Sequence, residues 1–211
     1  MEVQALPKYD LQALADTLAG VFEGSEDWLR IMKLLLEGHP LSPERVASAL
    51  QISLDDANHL LEGAEFDQAG NVVGLGLSLV PTPHSYQVDG RQFYTWCAGD
   101  AITFSIFLKT TAVIESPDPI SGEKVRLIVT PEGVQQVEPR TAVVSWVTEM
   151  GEMKNVRTWG CNFIQFFTSA ETASQYIVQH RGLIVVPVDE IFQMGKLLWE
   201  REPFKSVIAD L

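Results

Sequence analysis

Residues 64–81, AEFDQAGNVVGLGLSLVP, mark the point where the 211-residue chain changes from helix to sheet. Two apolar runs flank Ala69-Gly70-Asn71, so the stretch predicts a strand, a tight turn and a second strand. Upstream, YDLQALADTLAGVF places Leu11, Leu14, Leu18 and Phe22 at helical spacing. EDWLRIMKLLLEGHP follows, with Gly38 and Pro40 as stop signals. LSPERVASAL offers Ser42 as N-cap and Pro43 at the first helical position. SLDDANHLLEG offers Ser53 as cap, with Asp55 and Asp56 at the positive end of the helix and Gly63 as its stop. Short helices followed by a β-wing have the outline of a winged helix-turn-helix, and residues 1–80 are expected to form such a module.

Downstream, Pro81 and Pro83 suggest a boundary, and Asp89-Gly90 joins two strand-like runs as a hairpin. CAGDAITFSIFLK reads as a helix. TTAVIES, EKVRLIVT and TAVVSWV read as strands, with PDPISG and PEG as the turns between them. EMGEMKNVRTWG shows no period and is expected to be a loop; CNFIQFF is short and apolar. TSAETASQYIVQH carries a capping box from Thr168 to Glu171, GLIVVPV is a strand, and VDEIFQMGKLLWE is expected to close the chain as an amphipathic helix. The expected class is α+β: the helical winged-helix-like module, then a larger mixed α/β domain with a central sheet over residues 81–211.

Composition narrows the partners. At 46% hydrophobic and 20% charged residues, the chain has enough apolar material for a packed core. Its net charge of −13 opposes nucleic acid and anionic membrane surfaces, both of which are held by Lys and Arg. Residues 1–80 contain 13 acidic and 4 basic side chains, so the winged-helix outline is not expected to read DNA. No apolar run reaches the roughly 18 residues of a membrane span. MEVQALPKYD lacks the basic and apolar segments of a secretory signal, so a cytoplasmic protein is expected.

Two cysteines, Cys97 and Cys161, lie 64 residues apart with no CxxC pair. In a reducing compartment both are expected as free thiols. Cys97 and Asp100 are spaced i,i+3, on one face of the expected helix and in its first turn. Helix-end N–H groups would lower the thiol's pKa and the neighbouring carboxylate would raise it, so the two can share a proton. Alternatively, Asp100 serves only the helix terminus and Cys97 is a small buried hydrophobe. Cys161 has its own aromatic neighbours, Trp159 and Phe163, as Cys97 has Trp96 and Phe104. Two thiolates without histidine support would select a soft, thiophilic ion, whereas a closed zinc site would want four ligands. His39, His59, His84 and His180 show no metal-ligand spacing to either cysteine, and there is no GxSxG, P-loop or HExxH.

Four segments in order, GLSLVPTPHSYQVDGRQFYTWCAGDAITF, ESPDPISGEKVRLIVTPEGV, CNFIQFFTSAETA and VDEIFQMGKLL, resemble the organomercurial (alkylmercury) lyases of bacterial mercury resistance. The resemblance runs from about residue 66 to 200 and is most specific at Tyr94-x-Trp96-Cys97-Ala98-x-Asp100 and at Cys161 with Phe166-Phe167-x-Ser169. It implies protonolysis of a carbon–mercury bond to a hydrocarbon and Hg(II). Cys97 and Cys161 would bind mercury, and Asp100 would relay the proton and contact the ion. Trp96, Phe104 and Phe163 would line a pocket for the organic group. The resemblance implies no organic cofactor. External thiols would deliver substrate and remove product, and Hg(II) would pass to cellular thiols or to a mercuric reductase. The order in which the two cysteines engage is not set by it. A non-catalytic relative that binds or senses soft metals through the same thiols is the alternative.

Three positions depart from the family pattern. Asp118 lies where some members carry a further cysteine, and Asn162 where some carry a second cysteine after the catalytic one. Gly99 replaces a residue that is often bulkier. A glycine there is expected to loosen the first helical turn, by about 1 kcal/mol relative to alanine.

Overall fold

The computed structural model describes residues 9–24, 26–149 and 151–211. Residues 1–8, read above for the lack of a secretory signal, lie outside the described part, as does Met150 in the loop expected before Cys161. Four helices come first: α1 (Leu11–Phe22), α2 (Asp27–Leu35), α3 (Pro43–Leu50) and α4 (Leu54–Leu60). Side-chain caps start three of them. Asp10 accepts from the backbone N–H groups of Gln12 and Ala13, Ser42 from Arg45 and Ser53 from Asp56, so donors that no helical carbonyl can reach are satisfied.

A sheet of eight strands follows: β1 (Glu65–Phe66), β2 (Val72–Leu75), β3 (Leu77–Ser78), β4 (His84–Val88), β5 (Arg91–Thr95), β6 (Ala112–Pro117), β7 (Lys124–Thr130) and β8 (Gly133–Glu138). Their order is β1-β2-β3-β5-β4-β6-β7-β8, with every neighbouring pair antiparallel. The hairpin between β4 and β5 turns on Asp89 and Gly90, both with positive φ, the backbone that this dipeptide favours. The expected wing is β1 and β2, and Leu41, ahead of α3, bridges to Val72. The wing continues into the large sheet through β3, and one hydrophobic cluster runs from Trp28 and Leu35 through Phe107 to Phe192.

Between β5 and β6 lies α5 (Ala98–Leu108), with nine of its eleven residues buried. A helix apolar all round belongs in a core, and α5 packs against β4, β5 and β7 and against α8 (Val188–Trp199). At that crossing a Cβ on Gly195 would come within 2.6 Å of Thr103 Cγ2, so the helices meet this closely only because residue 195 has no side chain. The second sheet has three antiparallel strands, with β9 (Val143–Val147) between β10 (Phe166–Phe167) and β11 (Leu183–Pro187). All five residues of β9 are buried. α7 (Ala170–Ile177) packs on this sheet and α1 lies along α8.

Several expectations needed revision. The polar strand β8 lies where only a turn was expected; its Gln135 and Gln136 are exposed at the sheet edge, which hides the usual apolar alternation. The expected loop before Cys161 holds a 3-10 turn at Met153–Asn155 and a one-turn helix, α6 (Val156–Trp159), too short to show a period. Helix α7 is capped by Ser169, which accepts from the Thr172 N–H, and not by Thr168. Thr168 is drawn away, because its N–H and hydroxyl both donate to Asp118 at 2.9 Å. Beyond α8 the chain adds a further short helix, α9 (Phe204–Ala209). No helix among the described residues is long and apolar enough to cross a membrane.

Candidate active site

Strand β5 ends at Thr95, and Cys97 is the N-cap of α5, in extended backbone with φ −150°. Its sulfur accepts from the Asp100 N–H at 3.3 Å, so the thiol occupies a place usually taken by a Ser or Asp oxygen. Asp100 sits one turn along the helix and faces the same way. Thr95 Oγ1 donates to the Cys97 carbonyl at 3.0 Å and fixes the corner from strand to helix.

Cys161 opens a 3-10 turn, Cys161–Phe163, and two sets of bonds hold that turn against α5. The Ala98 N–H donates to the Ile164 carbonyl at 3.0 Å, which ties the segments of the two cysteines directly. Ser145, buried on β9, donates its hydroxyl to the Phe163 carbonyl at 2.6 Å and accepts from the Gln165 N–H at 3.0 Å. The ligand atoms of Cys97, Asp100 and Cys161 consequently lie within 4.8 Å of one another. Two thiolates on opposite sides of one ion, each at the roughly 2.3 Å of a zinc–sulfur bond, would be about 4.6 Å apart. A spacing within 4.8 Å is therefore compatible with both sulfurs binding one ion.

Both cysteines are free and buried. Burial, the Cys161 hydrogen bond and the Asp100 charge push the Cys97 thiol well above its ordinary pKa. For Cys161 the hydrogen bond from Cys97 pulls down, but burial and Asp100 prevail and the pKa is raised. Asp100 keeps some accessible surface, yet its carboxyl lies among densely packed atoms, and that desolvation raises its pKa to about 7 against the lowering hydrogen bonds of both cysteines. The Cys161 sulfur lies 3.9 Å from Asp100 Oδ2, a weak S–H···O contact. Three groups at such a spacing, with pKa values moved towards the protonated forms, can hold and exchange protons.

Beside them is a cavity of about 50 Å³. Its lining includes all three groups with Gly99, Phe104, Trp146 and Trp159, and α1 and α8 contribute Leu18, Phe22, Met194, Leu198 and Trp199 among others. Of the aromatics expected at the pocket, Phe104 is there and Trp96 and Phe163 are not. Trp96 precedes Cys97 in extended backbone and faces the opposite side, where its indole donates to Glu65 Oε2 at 2.8 Å and Arg157 lies 5.0 Å over its ring. Phe163 packs beside His180, with ring centroids 5.7 Å apart. Trp159, an aromatic neighbour of Cys161 in the sequence, does line the cavity, and so does Trp146, which reads in the sequence as an ordinary strand residue. Arg157 pairs with Glu65 and draws the Cys161 pKa down, the one cationic influence on the thiols among the described residues.

The family model described as alkylmercury lyase matches residues 77–200, which span both cysteines and Asp100. An alkylmercury lyase of Staphylococcus epidermidis is 41% identical over 182 residues, covering 84% of each chain. The chain belongs to the alkylmercury lyase family. Other relatives of that name come from Bacillus cereus, 39% identical with 85% of each chain covered, and from Streptomyces lividans, 37% identical with 90% of this chain and 92% of the relative covered. Among solved structures, the mercury-bound form of MerB2 superposes with a TM-score of 0.75 over 95% of this chain and 100% of its own, at 20% identity. That likeness extends the lyase fold to the helical N-terminal residues, which the family model does not span.

Proposed function

We propose that this chain is an organomercurial lyase that cleaves carbon–mercury bonds by protonolysis, with Cys97 and Cys161 as mercury ligands and Asp100 as proton carrier. The observation that carries this is the placement of two thiols and a carboxyl with ligand atoms within 4.8 Å, beside an apolar cavity. Mercury in R–Hg⁺ is soft and prefers thiolate sulfur to nitrogen or oxygen. An external thiol brings R–Hg⁺ to the site. One cysteine displaces that thiol, forming an S–Hg bond, and its proton leaves with the displaced sulfur. The second cysteine gives its proton to the Asp100 carboxylate as its own S–Hg bond forms. Added sulfur electron density weakens the Hg–C bond, whose electron pair goes to carbon as Asp100 delivers the proton there. The products are R–H and Hg(II) held by two thiolates, with the Asp100 carboxylate restored and free to contact the ion.

The raised thiol pKa values support this order of events, because both cysteines wait as thiols and one supplies the proton that carbon needs. An acid with pKa about 7 can accept that proton and give it up again near neutral pH. No cofactor enters this scheme; external thiols exchange into and out of the site, and they or a mercuric reductase would take the Hg(II).

The test is methane or benzene release from methylmercury or phenylmercury in excess thiol, followed by gas chromatography. Wild type is expected to release hydrocarbon and Cys97→Ser and Cys161→Ser to release none above background. One-to-one Hg(II) binding with no hydrocarbon from wild type would instead make this chain a soft-metal binding protein.

A further inference from the structure

Gly99 lies between the capping cysteine and the carboxyl, and its missing side chain has been replaced from elsewhere. A Cβ built there would stand 2.8 Å from Cζ3 and 3.3 Å from Cη2 of Trp146. The six-membered edge of that indole thus occupies the space a side chain at residue 99 would take. Trp146 is buried and lines the cavity together with Cys97, Asp100 and Cys161. It stands on the buried strand β9, paired with Ile184 of β11, so this wall belongs to a sheet and not to a surface loop. The indole N–H is buried without a hydrogen-bond partner among the described residues. Shape, not a polar bond, holds the ring.

The space left is small. The cavity measures about 50 Å³, whereas an engineered cavity that takes up benzene measures about 150 Å³. Room for an organic group beside the thiols is therefore scarce, and the indole takes up part of what a larger group would need. We propose that Trp146, seated on the bare backbone of Gly99, is the specificity-determining residue for the organic group and selects short alkyl over aryl mercury. The proposal rests on the lyase reading above. Gly99 is then one half of an interlocked pair, and not a loosening of the helix: a larger residue 99 and a tryptophan at 146 compete for one volume.

The experiment compares kcat/KM for methylmercury and phenylmercury. Aryl–mercury bonds differ from alkyl ones in intrinsic reactivity, so the readout is the change in the ratio between variants and not the wild-type ratio itself. Trp146→Ala is expected to move the ratio towards phenylmercury by about tenfold or more, the scale on which a pocket wall discriminates small groups. Gly99→Ala is expected to slow both substrates and move the ratio towards methylmercury; adding Trp146→Leu to it is expected to recover part of the loss, because leucine leaves room for the new Cβ. One-to-one Hg(II) binding reports that the thiol pair is intact, and Trp146→Leu alone serves if the alanine variant loses it. A ratio that stays within about twofold of wild type in a tryptophan variant that still binds Hg(II) overturns the proposal. If wild type releases hydrocarbon from neither substrate, the lyase reading fails instead, and the size wall is then judged by the relative retention of methylmercury and phenylmercury by the same variants.

Discussion

Two aspartates largely shielded from solvent behave in opposite ways. Asp118, in the turn between β6 and β7, is 0% exposed, yet its pKa is lowered. Burial raises it, but Thr168 donates from its N–H and its hydroxyl, and the N–H groups of Ile120 and Ser121 donate as well. Asp100 keeps a little accessible surface but its carboxyl is the more densely packed, and its pKa rises to about 7. Its neighbours are two thiols, which are weak donors. Asp100 is the more densely packed of the two, so a larger desolvation and weaker donors act together to set the opposite shifts. One arrangement stores a permanent charge that knots a loop to β10 and α7. The other keeps a proton mobile.

The sharpest way to break the comparison is to neutralise each carboxyl in turn. Asp100→Asn removes a proton carrier and is expected to lower hydrocarbon release by roughly 10²–10⁴-fold while leaving the fold intact. Retained turnover in that variant would mean that the proton comes from elsewhere. Asp118→Ala strips the acceptor from several buried donors and is expected to cost about 3 kcal/mol of stability, with turnover reduced only as the fold loosens. Chemical denaturation of both variants separates the two effects.

The pH dependence of stability sharpens the contrast through its sign. For Asp100 the folded pKa is raised, so between the ordinary 3.8 and about 7 the folded state holds the proton more tightly than the unfolded one. Its contribution is present at low pH and is lost as pH rises through that window. For Asp118 the folded pKa is lowered, so its contribution is present above the ordinary 3.8 and is lost as pH falls through the folded value. Urea midpoints measured across pH should show Asp100→Asn flattening the fall towards neutral pH and Asp118→Asn flattening the acid limb. The same slope in both variants would contradict the assignment.

A smaller effect is expected at the edge of the site. Arg157→Gln removes the cation that lowers the Cys161 pKa, so that pKa should rise and alkylation of Cys161 should slow severalfold at fixed pH. The ion pair with Glu65 is partly exposed, and its loss is expected to cost no more than about 1 kcal/mol. A stability loss well beyond that would make Arg157 primarily a structural clamp on Trp96 and the wing.

Much of this was legible in the chain. The caps at Ser42 and Ser53, the Asp89-Gly90 hairpin and the helix after Cys97 all formed as their residues suggest, because each depends on bonds within a few residues. Cys97 and Asp100 share a helix face for the same reason. Illegible elements were those shaped from a distance. Thr168 lost its expected capping role to Asp118, which lies 50 residues away. Trp96 turned out of the pocket because Glu65 and Arg157 hold it on the other face.

The sequence by itself determined an α+β chain with two thiols and a carboxyl at family-like positions, one pair of them locked by helical spacing. Only the tertiary structure decided that Cys161 closes on that pair through Ser145 and Ile164, that Trp146 fills the space above Gly99, and that the two buried aspartates titrate in opposite directions. Periodicity and capping are set over a few residues of chain. Chelation distance, cavity size and proton affinity are sums over groups that only folding brings together.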